Sequence, residues 1–153
     1  MVDALFLCFG NICRSPLAEY VFRDLVSRAG LSDRITCRSR GTSTMHSGEG
    51  MDVRSLHQLE IHGIDGSGHV SRPLEKEDFI SSDLVLVMDS SNMSFAKRMR
   101  PEGCGCRIAY LKEPVGGGDV ADPWYTGRFD ETYDEVLECC ERWLDEVSRG
   151  LGL

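Results

Sequence analysis

The run Ala4-Leu5-Phe6-Leu7 is short and continuously apolar, the pattern of a strand covered on both faces. Leu17, Val21 and Leu25, joined by Ala18, Phe22, Val26 and Ala29, recur at helical spacing and predict a helix with a wide apolar side. Ser15 is its expected N-cap, Pro16 its first position and Gly30 its stop. Ile35 to Ser39 predicts a second strand, short and interrupted by Arg38. A polar turn follows at Arg40-Gly41-Thr42-Ser43-Thr44, then a helix from Met51 to His62 before Gly63, and a loop at Asp65-Gly66-Ser67-Gly68. Pro73 to Ile80 predicts a short helix, and Asp83 to Met88 the clearest buried strand. Asp89-Ser90-Ser91-Asn92 caps a helix ending near Pro101, and Cys104-Gly105-Cys106 leads into a last strand, Arg107 to Leu111. Lys112 to Gly127 is expected to be a long loop made mobile by Gly116-Gly117-Gly118. The stripe Phe129, Tyr133, Val136, Leu137, Cys140, Leu144 and Val147 marks the final helix.

Strands alternating with helices predict an α/β fold. The expectation is a single doubly wound domain over residues 1–153, with a four-stranded, mostly parallel sheet and helices on both faces. A chain of 153 residues can build its core without staples. Its seven cysteines are odd in number and scattered, unlike a secreted disulfide framework, so reduced thiols are expected. No apolar run approaches the ~18 residues of a membrane span, and no basic, apolar leader follows Met1. A cytoplasmic protein without membrane contact is the expectation. The net charge of -8 is concentrated in Asp130, Glu131, Asp134, Glu135, Glu138, Glu141, Asp145 and Glu146, opposed there by Arg142 alone. That reads as a solvated helix face, and the lack of a basic stripe argues against nucleic acid.

The chemistry gathers where the first strand gives way to the first helix, in Cys8-Phe9-Gly10-Asn11-Ile12-Cys13-Arg14-Ser15-Pro16. A helix start presents unpaired amides and a positive dipole end, a ready anion site. Gly10 is expected to permit a tight turn whose amides converge on a tetrahedral oxyanion. Arg14 adds a planar, permanently charged fork for two of its oxygens. Cys8 stands at the strand's end beneath this positive field, where the thiolate is favoured. A cysteine after an apolar strand is usually a small buried hydrophobe. Here its spacing from Arg14 coincides with a glycine, a helix start and a preceding strand, and together these make Cys8 a nucleophile.

The stretch closely resembles the phosphate loop of the low-molecular-weight protein tyrosine phosphatases: Cys8, five residues containing Gly10-Asn11-Ile12-Cys13, then Arg14 and Ser15. The resemblance implies hydrolysis of phosphotyrosine in proteins, and of small aryl phosphates, through a phosphocysteine on Cys8. Phosphate would be held by the loop Phe9 to Ser15 with Arg14, and no metal or cofactor is implied. Asp122-Pro123 alone reads as a turn dipeptide; by resemblance, Asp122 is the general acid and then the base. Trp124 and Tyr125 either wall the pocket mouth or anchor the loop on the core. Members often carry two tyrosines here, so Trp124 departs from the family and removes the first as a phosphorylation site. Asn11, Ser15, Ser39 and His69 resemble the family's network that fixes the loop and steadies the thiolate. The same resemblance gives Cys13 a redox role, a reversible disulfide with Cys8 that spares an oxidised nucleophile. Partners expected are phosphotyrosine proteins and inorganic oxyanions, with a monomer that self-associates weakly at most.

Three alternatives compete. Arsenate reduction on this fold needs a thiol relay, for which Cys104 and Cys106 are the candidates, although Asp89-Ser90-Ser91 stands where that group keeps its thiols. Protein arginine phosphatases resemble the same loop but favour Thr where this chain has Ile12. A phosphopeptide-binding module would be expected to lack the nucleophile or the acid, and this chain keeps Cys8, Arg14 and Asp122.

Overall fold

The computed structural model describes residues 1–153. Strands β1 (Val2–Cys8), β2 (Ile35–Gly41), β3 (Leu84–Val87) and β4 (Arg107–Tyr110) form one sheet in the order β2-β1-β3-β4. Every neighbouring pair is parallel, so the sheet expected to be mostly parallel is wholly so. The six helices are α1 (Arg14–Arg28), α2 (Val53–Ile61), α3 (Lys76–Ser81), α4 (Ser90–Met99), the short α5 (Pro123–Thr126) and α6 (Phe129–Gly150).

The side-chain alternation of a strand decides which residues meet which helices. Ala4, Phe6 and Cys8 of β1 pack with Leu84, Leu86 and Met88 in the core that also holds Leu17, Phe22, Val136, Cys140 and Trp143 of α1 and α6. Leu5, Leu7, Val85 and Val87 pack on the other face with Phe79, Met93 and Ala96 of α3 and α4. Helices therefore cover both faces. The chain leaves β1 for β2 on one side and then crosses to β3 on the other, which puts the carboxyl end of β1 at a topological switch point, where open α/β sheets take ligands.

Several boundaries differ from expectation, each for a local reason. α1 begins at Arg14, with Cys13 in the cap position and no side-chain cap bond. Ser15 is not its N-cap, because the hydroxyl is drawn to Cys8 and Asn11 instead. Pro16 consequently sits third in the helix, where a backbone N–H would still lack a partner. β2 runs on to Gly41 because Leu7 and Cys8 pair with Arg40 and Gly41, taking two residues from the expected turn. Pro73 bridges to Gly41 rather than opening a helix, and α3 starts at Lys76 behind a capping box of Glu75 and Asp78. The expected loop from Lys112 contains a 3₁₀ turn at Glu113–Val115 and the four residues of α5.

Candidate active site

Cys8 ends β1 almost fully buried, and the loop beyond it turns through Asn11, whose φ of 56° is the left-handed conformation. Gly10 was the expected pivot, but Asn is among the few residues with a side chain that tolerate this region. Gly10 serves close approach: a Cβ there would lie 3.0 Å from Cδ2 of His46. Asn11 is wholly buried and satisfied. Its Nδ2 donates to the hydroxyls of Ser15 and Ser39, both at 2.9 Å, and its Oδ1 accepts the Arg72 amide at 2.9 Å. Its own N–H points at the Cys8 sulfur, 3.3 Å away. Since the Ser15 hydroxyl accepts from Asn11, its proton is free for the Cys8 sulfur at 2.9 Å rather than the more distant Arg40 carbonyl at 3.4 Å. Two donors thus converge on the sulfur.

A further layer holds the loop. Ser39 donates to the Glu19 carboxylate at 2.6 Å, and Ser71 donates to the Gly10 carbonyl at 3.0 Å. His69 Nε2 lies 2.7 Å from the Asn11 carbonyl, which can only accept, so Nε2 carries the proton. Burial pushes the His69 imidazole below its ordinary value, against the opposing pull of the Asn11 bond and of Glu19. Ser39 and His69 therefore reach the loop through Asn11. Glu19 and Ser71 were missed, because nothing in a helical glutamate or a loop serine announces a partner that only the fold supplies.

Arg14 is buried, with one arm fixed: Nη1 donates to Asp89 at 2.8 Å and to the Val120 carbonyl at 2.9 Å. Its Nη2 lies 3.5 Å from Asp122 Oδ2. Burial works against its charge, but Cys8, Asp122 and Asp89 outweigh that and raise its pKa. Asp122 caps α5, its Oδ1 accepting the Trp124 amide at 3.0 Å. Asp89 caps α4 through Oδ1, as its sequence signature predicts, while its other oxygen takes Arg14, a second task unread in the sequence.

These groups border a cavity of about 260 Å³ whose lining includes Cys8, Phe9, Ile12, Arg14, Asp122 and both rim aromatics. Met45 and His46, also unforeseen, complete the wall. Trp124 and Tyr125 are 50% and 85% exposed, so both stand at the mouth and neither anchors the loop in the core. Cys13 is buried against Ile12 and Phe129, and burial pushes its thiol up. The other five cysteines lie elsewhere: Cys106 in the core beneath α3 and α4 with Cys104 at its edge, and Cys139 and Cys140 on the buried side of α6 with Cys37 of β2 at the edge of that core. None of them lines the cavity, and burial raises Cys106 to about 11 and Cys139 to about 12. No group of three His, Cys, Asp or Glu side chains is arranged to hold a metal ion. No helix is long and apolar enough to cross a membrane.

A thiol at a strand end, met by the Asn11 amide of a loop that opens a helix and sharing its cavity with a buried arginine, marks an α/β protein whose site has the chemistry suited to a tetrahedral oxyanion. The profile described as low molecular weight phosphotyrosine protein phosphatase matches residues 3–151. The chain belongs to that family. It is 37% identical over 153 residues to the low molecular weight phosphotyrosine protein phosphatase of Schizosaccharomyces pombe, covering 96% of this chain and 97% of that protein. The crystal structure of YfkJ from Bacillus subtilis superposes with a TM-score of 0.93 at 33% identity, over 98% of this chain and 96% of the other. That of a Drosophila arginine phosphatase superposes with a TM-score of 0.88 at 30% identity, over 94% and 96%.

Proposed function

We propose that this chain, acting as one catalytic unit, hydrolyses phosphotyrosine in proteins by double displacement at phosphorus. The observation that carries the reading is the convergence on one cavity of the Cys8 sulfur, the Arg14 guanidinium and the Asp122 carboxyl. Cys8 attacks as thiolate, forming the S–P bond while the P–O ester bond breaks. Asp122 gives its proton to the departing phenolic oxygen. The Asp122 carboxylate then takes a proton from water, the water oxygen bonds to phosphorus, and the S–P bond breaks to return the thiolate and release phosphate. Arg14 and the loop amides hold the equatorial oxygens, where charge is concentrated in the transition state. Asp89 and the Val120 carbonyl fix Nη1 of Arg14, while Nη2, held only by the long 3.5 Å contact with Asp122, turns to the phosphate when substrate enters.

An aromatic ester suits the mouth, where Phe9, Trp124 and Tyr125 offer apolar faces and Ile12 lines the wall. All these groups come from one chain, so a monomer suffices, and the free thiols suit the cytoplasm. Cys13 beside the site supports the protective disulfide: a peroxide converts the Cys8 thiolate to sulfenic acid, and the Cys13 sulfur then displaces water to form the S–S bond.

The Drosophila neighbour favours a second reading, phosphoarginine hydrolysis, whose guanidinium leaving group would want more negative charge than this mouth offers. Phosphate release is measured from phosphotyrosine, phosphoserine and phosphoarginine peptides in chelator and reductant, with vanadate as the oxyanion mimic. Turnover of phosphotyrosine alone, blocked by vanadate and lost in Cys8→Ser, is expected. Preference for phosphoarginine, or full turnover by Cys8→Ser, would overturn the reading.

A further inference from the structure

Arg54, in the first turn of α2, lies outside the cavity yet touches both segments that frame Asp122. Its guanidinium stands over the Trp124 ring, 5.5 Å from the centroid, and over the Phe129 ring at 4.5 Å. Trp124 belongs to α5, which Asp122 caps, and Phe129 opens α6. α5 has little hold of its own: of its four residues only Pro123 is buried.

The other side of Arg54 is tied to the phosphate loop. Its Nε and Nη2 donate to the two oxygens of Asp52 at 3.1 and 2.9 Å, and the Asp52 N–H donates to the Ile12 carbonyl at 2.9 Å. Ser55, next along α2, donates to the Cys13 carbonyl at 3.3 Å. A continuous path therefore runs from the loop through Asp52 and Arg54 to Trp124, whose amide meets Asp122 Oδ1 at 3.0 Å. The Trp124 ring is met again by His46, centroids 6.1 Å apart, the same imidazole that abuts Gly10.

We propose that Arg54 is a positioning residue that clamps α5 onto the phosphate loop and so sets the reach of Asp122 to the leaving oxygen. The proposal rests on the reading of Asp122 as general acid. A planar, charged fork is required, because the same group must bind a carboxylate in two places and stand over two rings.

The test measures kcat/KM for p-nitrophenyl phosphate, a good leaving group, and phenyl phosphate, a poor one, with amide hydrogen exchange over residues 122–127. Arg54→Ala should lose about tenfold on the phenyl ester but only about twofold on the nitrophenyl ester, since only the poor leaving group depends on a well-placed proton. Arg54→Lys should fall between, and exchange at Trp124, Tyr125 and Gly127 should quicken in the order wild type, Lys, Ala. In an Asp122→Asn background, Arg54→Ala should add about twofold or less on either ester, because both changes act on one step. Equal losses on the two esters, full additivity with Asp122→Asn, or unchanged exchange each overturns the proposal. A loss seen only as raised KM for acidic peptides would mark Arg54 as a substrate contact and overturn it too. If Asp122→Asn itself shows no dependence on the leaving group while Arg54→Ala quickens exchange, it is Asp122 as acid that fails, and the proton-transfer half of this proposal with it.

Discussion

The Ser15 hydroxyl lies 2.9 Å from the Cys8 sulfur, its acceptor side taken by Asn11 and its proton left for that sulfur. A hydrogen bond to a charged group contributes about 1.5–3 kcal/mol, or about 10- to 100-fold in rate. It matters most when sulfur is the leaving group, since a more basic thiolate attacks well but departs poorly. Ser15→Ala should therefore slow breakdown of the phosphocysteine more than its formation. Stopped-flow should show a burst of phenol equal to the enzyme concentration before a slow steady state; a slowed first turnover without a burst would contradict this.

Asp89 does two jobs with two oxygens. Its Oδ2 accepts from Arg14 at 2.8 Å while Oδ1 caps α4. Asparagine has one acceptor oxygen, so with Oδ1 on the cap its Nδ2, a donor, faces Arg14 and cannot hold it. Asp89→Asn and Asp89→Ala should therefore both cost about tenfold or more in kcat/KM, whereas only Asp89→Ala should also lose about 1 kcal/mol of stability in urea through the cap. Near-wild-type kcat/KM in Asp89→Asn would mean that catalysis does not use the hold of Asp89 on Arg14.

What the sequence disclosed and what it hid divide by range. β1, α1, α4 and α6 are legible because an apolar run, a helical stripe or a capping signature is local, and Cys8 and Arg14 because their spacing is local too, whereas Asp122, a turn dipeptide by its own neighbours, is singled out only by the family resemblance. Ser15 was misread as a cap because its preference for that place is real but weaker than a buried sulfur and amide seeking partners. Glycine is the residue whose type favours the left-handed region, yet that position falls to Asn11 rather than Gly10, held there by contacts from Ser39 and Arg72 far along the chain. Glu19, Arg54 and the second oxygen of Asp89 were invisible for the same reason: each acquires its partner only when strands or loops distant in sequence lie side by side.

Gly41 shows such a long-range constraint acting on backbone. A Cβ there would lie 2.9 Å from the Phe9 carbonyl oxygen and 3.1 Å from Asn11 Cβ. Glycine to alanine at a tolerant site stabilises by about 0.4–1 kcal/mol through the unfolded chain. Here the contact is with loop backbone, so Gly41→Ala should instead destabilise by about 1–3 kcal/mol and lower kcat by about tenfold or more. Urea unfolding and steady-state kinetics check the two together; gained stability with unchanged kcat would show that the loop yields freely.

Cys13 is buried beside the site with its thiol pushed up by burial, so it is a poor nucleophile toward free oxidants and depends on proximity to Cys8. Peroxide should inactivate the wild-type protein reversibly, with a dithiol restoring activity. Cys13→Ser should be inactivated irreversibly as Cys8 passes on to the sulfinic acid, which mass spectrometry would record as two added oxygens. Full dithiol rescue of the variant would exclude Cys13 as the protecting thiol.

His69 sets a dependence on acid. The folded imidazole sits below its ordinary 6.5 because burial disfavours the cation. The unfolded chain therefore takes up a proton that the folded one declines, and stability must fall as pH drops through the unfolded value of about 6.5, continuing until the lower folded value is passed. Above that range His69 contributes no slope. The loss is bounded by about 1.4 kcal/mol per pH unit for one proton. His69→Gln can donate to the same Asn11 carbonyl without titrating, so the variant should start less stable at pH 8 and lose less between pH 7 and 5.5. Carboxylate titrations are common to both proteins and cancel in the difference. Urea midpoints across that range decide it: parallel curves would mean that His69 protonates as readily folded as unfolded, and that its bond to the phosphate loop survives the added charge.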